Sequence, residues 1–345
     1  MSPRKTSITI FLAASILLVS CGNSSGLSPE ATVQEPIQNS DSYQPESPPS
    51  DSTTLPNEQS PHLGPQYAAA AVWGRGSESD VTFTFPNGIA IDAEDNVYIT
   101  EFTGNRVQKF SSSGELLLQW GSRGSEDSQF LNPTGIAIDG EGNVYISESG
   151  NHRVQKFSAD GEWLLSFGVQ GTGPGEFLSA MVLDIDEDNN IYVTDWGNGR
   201  VQVFDSLGTF ISTFGETGTA EGMLTNPTGI KIDGEGNIWV VDRGNHRVQK
   251  FTIEGNFLAA YGIRGDEEGQ FFVPTSINFD EVGNFYVSEV DNSRVQIFNS
   301  EGQYLGEAAS GLLQMPHGLA FDSTGALYIA DTGNNVVRKF EPVIP

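Results

Sequence analysis

Six carboxylates recur at fixed intervals along the chain: Glu101, Glu148, Asp195, Asp242, Glu289 and Asp331. Five are followed five residues later by an arginine (Arg106, Arg153, Arg200, Arg247 and Arg294), whereas the sixth copy has Val336 there. A carboxylate and a guanidinium can join through paired, charge-assisted hydrogen bonds. A ring of such pairs could bind charged ligands, but a feature present in every copy is expected to be a brace at a repeated joint. Histidines offer metal binding and proton transfer. His62 lies in a segment rich in proline and serine, while His152 and His246 occupy two of six equivalent turns whose other members are Asn105, Gly199, Ser293 and Asn335. Those two are expected to be solvated turn residues. Only His317, in Pro316-His317-Gly318, opens a strand, and one histidine falls short of the three ligands of a catalytic zinc. The run Asp184-Ile185-Asp186-Glu187-Asp188 places carboxylates at alternate positions, the one place whose spacing would suit calcium. It lacks the central glycine of such loops and is expected to be an acidic turn between strands. No other cofactor is implied, and no Gly-x-Ser-x-Gly elbow is present.

The elements that position these residues repeat with them. Pro86-Asn87-Gly88-Ile89-Ala90-Ile91-Asp92 recurs as Pro133 to Asp139, Pro227 to Asp233, Pro274 to Asp280 and Pro316 to Asp322, and Ala180 to Asp186 is a copy without the proline. The aspartates at 92, 139, 186, 233, 280 and 322 are spaced by 47 residues four times and then by 42. A fixed period of this size marks a repeat architecture. Each copy holds four short runs rich in Val, Ile and aromatics, separated by Gly, Asp, Asn and Ser; in the second they are 135–138, 143–147, 153–157 and 163–167. The pattern predicts an all-β fold, a six-bladed β-propeller of four-stranded blades. The sixth copy stops after its third strand at 337–340, while a lone fourth strand, 67–73, precedes the first. That strand is expected to complete the last blade and close the ring, covering two exposed edges.

Arg4 and Lys5 precede an apolar run from Ile8 to Val19, too short to cross a bilayer as a helix and typical of a signal-peptide core. The following Leu18-Val19-Ser20-Cys21 resembles the lipobox of bacterial lipoproteins. That resemblance implies a signal peptide at 1–20, lipidation of Cys21, and a membrane-anchored, extracytoplasmic protein at the cell surface or in the periplasm. Cys21 is the only cysteine, so no internal disulfide can form. Residues 21–65 read as a disordered tether, since 22–65 contain eight prolines, nine serines, six acids and no lysine or arginine. The propeller is expected over 66–345. The whole chain has 17 basic against 45 acidic residues, a formal charge of −28 that becomes −30 once residues 1–20, with two basic and no acidic residues, are removed. Such a chain repels polyphosphate, which excludes nucleic acid as a partner.

Ser149-Gly150-Asn151-His152-Arg153-Val154-Gln155-Lys156-Phe157 and Gly244-Asn245-His246-Arg247-Val248-Gln249-Lys250-Phe251, together with the Pro-x-Gly-Ile-x-Ile-Asp opening, resemble the NHL repeat. The resemblance implies a six-bladed propeller with the Pro-x-Gly segments innermost. It implies little about activity, because the fold hosts RNA-binding and ligase-associated modules, extracellular binding proteins and a few enzymes. Among the enzymes are the propeller lyase that completes peptide amidation and calcium-dependent lactonases. In that lyase zinc-binding histidines follow the proline of inner strands, a position matched here by His317 alone.

In a propeller the start of the first strand and the turn between the second and third strands share one face. The residues after each Pro (or Ala180) are Asn87, Thr134, Met181, Thr228, Thr275 and His317; those after each repeated acid are Phe102, Ser149, Trp196, Arg243, Val290 and Thr332. They vary while the scaffold does not, as a ligand site at a channel mouth would require. The expected site comprises Asn87, Phe102, Thr134, Met181, Trp196, Thr228, Arg243, Thr275 and His317, with Trp196, Phe102 and Met181 as an apolar floor. The expected function is non-catalytic binding or scaffolding of a protein, peptide or small ligand; the alternative is a metal-dependent lyase or lactonase-type hydrolase.

Overall fold

A computed structural model describes residues 64–74 and 81–343. The expected signal peptide, Cys21, His62 and nearly all of the tether lie outside the described residues. The described residues form six four-stranded antiparallel sheets, with two short two-stranded parallel pairs in the loops between blades. Their inner strands are Pro86–Ile91, Pro133–Ile138, Ala180–Ile185, Pro227–Ile232, Pro274–Phe279 and Pro316–Phe321, which neighbour one another in a closed cycle, the last against the first. The all-β, six-bladed propeller read from the repeat is therefore the fold.

The second blade shows why these residues form these strands. Val144–Glu148 is buried at every position, because both of its faces lie between neighbouring blades, and it reads as an uninterrupted run rather than an alternation. Its outer strand Trp163–Phe167 has one solvated face and alternates in exposure. The core is accordingly divided into layers between blades. One layer combines Ala137, Tyr145 and Val154 of the second blade with Leu183, Ile191, Val193 and Phe204 of the third. Glycine in the Pro-x-Gly opening is forced by convergence on the axis: a Cβ on Gly135 would lie 2.7 Å from Val182 Cα, and one on Gly318 would lie 2.3 Å from the Asn87 carbonyl oxygen.

The ring closes as the unequal ends predict. Tyr67–Gly74 lies antiparallel to Val336–Pro342, with pairs running from Tyr67–Pro342 to Gly74–Val336. Trp73 packs on Phe110 of the first blade and Tyr328 of the last, both at 5.5 Å between ring centroids.

The repeated carboxylates are buried joints. In the second blade Glu148 accepts from Arg153 Nε at 2.6 Å, Gln155 Nε2 at 2.9 Å, Asn151 Nδ2 at 2.6 Å and the Leu131 backbone N–H at 2.8 Å. Arg153 and Gln155 also donate to the Gln129 carbonyl, so one buried acid ties the turn to the loop arriving from the preceding blade. In the sixth blade, where Val336 replaces the arginine, Arg338 takes the position held elsewhere by glutamine and binds Asp331 at 2.6 Å. The Asp184–Asn190 stretch is a strand followed by a turn. Asp186 Oδ1 accepts the backbone N–H groups of Asp188 and Asn190, as the equivalent aspartates do in other blades, and Asp184 pairs with Lys231.

Candidate functional site

Where the inner strands begin, the central channel opens into a cavity of about 210 Å³. Eight of the nine expected residues line it: Asn87, Phe102, Thr134, Met181, Thr228, Arg243, Thr275 and His317. Trp196 does not. Its backbone N–H donates to the Ser179 carbonyl at 3.0 Å, as that of Phe102 does to Phe85, but its ring is 39% exposed outside the cavity lining. Register fixes where a residue's backbone lies and leaves the side-chain rotamer open. The apolar floor thus lacks Trp196 and contains Phe85, Ile89, Ile136, Val182 and Leu319 with Phe102 and Met181. These additional residues belong to the inner-strand repeat, or precede it, and were legible only as scaffold. Of the remaining variable positions, Val290 and Thr332 are buried, and Thr332 Oγ1 is held by the Pro86 carbonyl at 2.5 Å.

Ile89, Ile136, Val182, Ser276 and Leu319 line both this cavity and a second one of about 250 Å³ deeper in the channel. The deeper cavity holds the Lys231–Asp184 ion pair at 2.8 Å, and Asp184 also accepts the Ile232 N–H. Its charges are thereby matched within the protein.

A belt of hydroxyls stitches neighbouring inner strands together below the mouth. Thr100 Oγ1 accepts from Gly88 N–H at 2.8 Å and donates to the Thr134 carbonyl at 2.9 Å. Thr194 serves Val182 and Thr228 in the same way, and Ser288 serves Ser276 and His317. Ser147 bonds Gly135 and the Met181 carbonyl. These serines also lie close to threonines of the first strand: Thr134 Oγ1 is 3.3 Å from Ser147 Oγ, and Thr275 Oγ1 is 3.1 Å from Ser288 Oγ. In the fourth blade the corresponding residue is Val241, which has no hydroxyl. Thr228 Oγ1 is consequently left buried without a hydrogen-bond partner at the edge of the cavity.

The mouth is electrostatically lopsided. Its lining contains Arg243 and no carboxylate. Burial lowers the basicity of Arg243, the more distant Asp291 opposes that shift, and no ion pair forms between them. His317, which lines the mouth, is pushed down to about 4 by burial, with Arg243 adding to the effect and the Met315 carbonyl opposing it. His317 Nδ1 lies 3.0 Å from the Met315 carbonyl oxygen, which can only accept. The proton therefore belongs on Nδ1, leaving Nε2 as an acceptor.

The turn histidines are partly rather than fully solvated: both are half-buried, and His152 Nδ1 is buried without a hydrogen-bond partner. Several turn positions cap the next blade, although Gly199 has no side chain to do so. Asn105 accepts from Asn132 N–H at 3.0 Å, and Asn335 closes the circle by accepting from Phe85 N–H at 2.8 Å. His246 Nδ1 accepts from Val273 N–H at 3.4 Å, and its ring stacks on Phe272. The residues they cap, among them Phe85, Asn132 and Val273, have positive φ, which costs side-chain-bearing residues energy and explains why a cap is present. Among the described residues, no group of three or more His, Cys, Asp or Glu is placed to hold a metal ion.

Five segments of this propeller, residues 83–110, 130–157, 183–204, 224–251 and 313–340, match the NHL repeat. The fifth blade is not among the matched segments, although its four strands superpose in order and register on the others. No curated protein sequence matches the chain. Solved structures share the fold. Virginiamycin B lyase from Staphylococcus aureus, crystallised with quinupristin, is 16% identical with a TM-score of 0.57, covering 78% of this chain and 84% of its own. A gluconolactonase from Xanthomonas campestris is 19% identical with a TM-score of 0.59, covering 76% and 87%. A Bacteroides thetaiotaomicron protein of unknown function is 18% identical with a TM-score of 0.60, covering 81% and 73%. At these identities the likeness shows the fold alone.

Proposed function

We propose that the chain is an extracytoplasmic binding module, anchored through lipid on Cys21 and a tether over 21–65, whose channel mouth holds a small ligand without transforming it. One observation carries this reading: all six residues that follow the inner-strand proline or Ala180, together with Phe102 and Arg243, line a single cavity with a mainly apolar wall and a single cation. The chemistry of the lining favours holding over turnover. It offers no carboxylate as general acid or base, and a histidine with a pKa near 4 is neutral but weakly basic at neutral pH, far from the value suited to proton transfer. The similar lyase and gluconolactonase folds make turnover the competing outcome to test. Small molecules that raise the melting temperature of the wild-type protein are expected to leave Met181→Trp, whose added ring fills the mouth, unaffected. Recovered ligands are expected to have unchanged NMR spectra after prolonged incubation. Equal stabilisation of both proteins would place binding elsewhere, and conversion of a ligand would replace this reading with an enzymatic one. For the anchor, Cys21→Ser is expected to release soluble protein or to block processing at residue 21; a variant processed and fractionating with the membrane as wild type does would refute lipidation.

A further inference from the structure

We infer that the channel mouth is specific for a carboxylate, received by Arg243 and Thr228. The inference rests on the binding role proposed above and deepens it. Two geometric observations converge on one corner of one cavity, and the electrostatics of the opening agree with them.

Among the described residues, six half-buried arginines, Arg106, Arg153, Arg200, Arg247, Arg294 and Arg338, each meet a fully buried carboxylate. Arg243 is also half-buried, lines the mouth, and has no hydrogen bond or ion pair to its guanidinium. A shielded, unpaired cation is costly, and a site that retains one has a place for an anion. Thr228 supplies the second observation. It is 2% exposed, its hydroxyl has no partner, and it borders the same cavity. The cause is local: Val241 stands where the first, second, third and fifth blades carry Thr100, Ser147, Thr194 and Ser288. Thr228 and Arg243 flank the cross-strand pair Pro227–Asp242, which brings both to one corner of the mouth. In keeping with both, Arg243 is near enough to His317, two blades away, to depress its basicity, so the cation acts over the opening itself.

Together Arg243 and Thr228 present a planar fork of N–H donors and one O–H donor. A carboxylate satisfies the fork and the hydroxyl at once. Phe85, Phe102 and Met181 offer the remainder of the ligand an apolar wall. Phosphate fits less well, since its second charge would find no second cation in the lining. A cavity of about 210 Å³ favours a small monocarboxylic acid with an apolar body over a folded partner.

The test is calorimetric titration of the propeller with acetate, hexanoate, phenylacetate and 3-phenylpropionate, each beside its primary amide. N-acetyl-Gly-Phe, as acid and as amide, represents peptide ends. Wild type is expected to bind at least one acid and to prefer it over its amide by on the order of 10–100-fold, the range for a hydrogen bond to a charged group. Arg243→Met should remove that preference, and Thr228→Val should reduce acid affinity on the order of 3–10-fold. Because Arg243 is unpaired, Arg243→Met should melt no lower than wild type without ligand; a lower melting temperature would mark it as scaffold and overturn the inference. Binding by the peptide acid alone supports the carboxylate and assigns its source to a peptide end. Acids and amides binding equally, in a manner abolished by Met181→Trp, overturn the carboxylate and leave the cavity's binding role intact. Absence of binding by every probe overturns both.

Discussion

Trp73→Ala tests whether the short N-terminal strand holds the ring closed. Trp73 is 6% exposed and belongs to the layer formed by Phe83, Ile99 and Phe110 of the first blade and Tyr328, Ala330 and Val337 of the last. A side chain of this kind buries about 150–250 Å². At about 25 cal/mol per Å² its removal forfeits roughly 4–6 kcal/mol, an upper figure because the unfolded chain is partly compact. Measured Trp→Ala changes in cores, about 3–5 kcal/mol, agree with it. For a domain of this size each kcal/mol lowers the melting temperature by about 2 °C, so calorimetry should show a fall of about 6–10 °C. Trp163 provides the internal control. It occupies an outer strand at 38% exposure, and Trp163→Ala should cost less than about 1 kcal/mol. Removal of residues 64–74 should do more than either substitution, because it bares the edge of Val336–Pro342 and invites association. If Trp73→Ala melts within the range of Trp163→Ala, the ring does not depend on its first strand and the closure argument fails.

Arg153→Met leaves Glu148 fully buried without its cation and should destabilise by about 3–5 kcal/mol, read as a shift in the denaturant midpoint; a shift under about 1 kcal/mol would mean that Gln155, Asn151 and the Leu131 N–H suffice. Asp92, Asp139, Asp233 and Asp322 are held below the ordinary carboxyl range: burial pushes them up, but hydrogen bonds from neighbouring side chains and backbone N–H groups, to Asn143 in the case of Asp139, outweigh it. A folded pKa below the unfolded value contributes stability above about pH 4 that is lost as pH falls through the folded value. Melting temperature should therefore drop below about pH 4, and Asp139→Asn should flatten the drop; an unchanged slope would refute the assignment. Val241→Thr should be nearly neutral in thermal melts, within about 1 kcal/mol, because the added hydroxyl meets the unpartnered Thr228; a cost of about 1–3 kcal/mol, that of an unpaired buried hydroxyl, would show that the belt cannot be completed there.

How far the molecule could be read from its sequence follows from which interactions repeat. Glu148, Arg153 and Gly135 were legible because one joint occurs around the axis with the same partners, so spacing alone reveals it. The mouth was legible as a set of backbone positions, since register places Thr228 and Arg243 on either side of Pro227–Asp242. What escaped were choices the register leaves open. The ring of Trp196 turns away from the mouth; the brace of the sixth blade moves two residues along to Arg338; His246 stacks on Phe272 and accepts from Val273 N–H. The tether and anchor rest on composition and on Cys21, which lie outside the described residues.

Symmetry itself explains where a binding site can arise in such a ring. A joint used in every blade must satisfy its own polar groups, because an unmet donor would be repeated around the axis and its cost multiplied. Specific chemistry therefore has to come from a position where one blade departs from the pattern. The fourth blade departs twice at the same corner, with Val241 in place of a hydroxyl and Arg243 in place of a neutral residue, and each departure leaves a donor the scaffold does not use. Asp184 and Lys231 are equally exceptional in the lower channel, yet they neutralise one another at 2.8 Å and bind the Ile232 N–H. Two departures that satisfy each other close a channel, whereas two that remain unsatisfied side by side leave it open to a ligand.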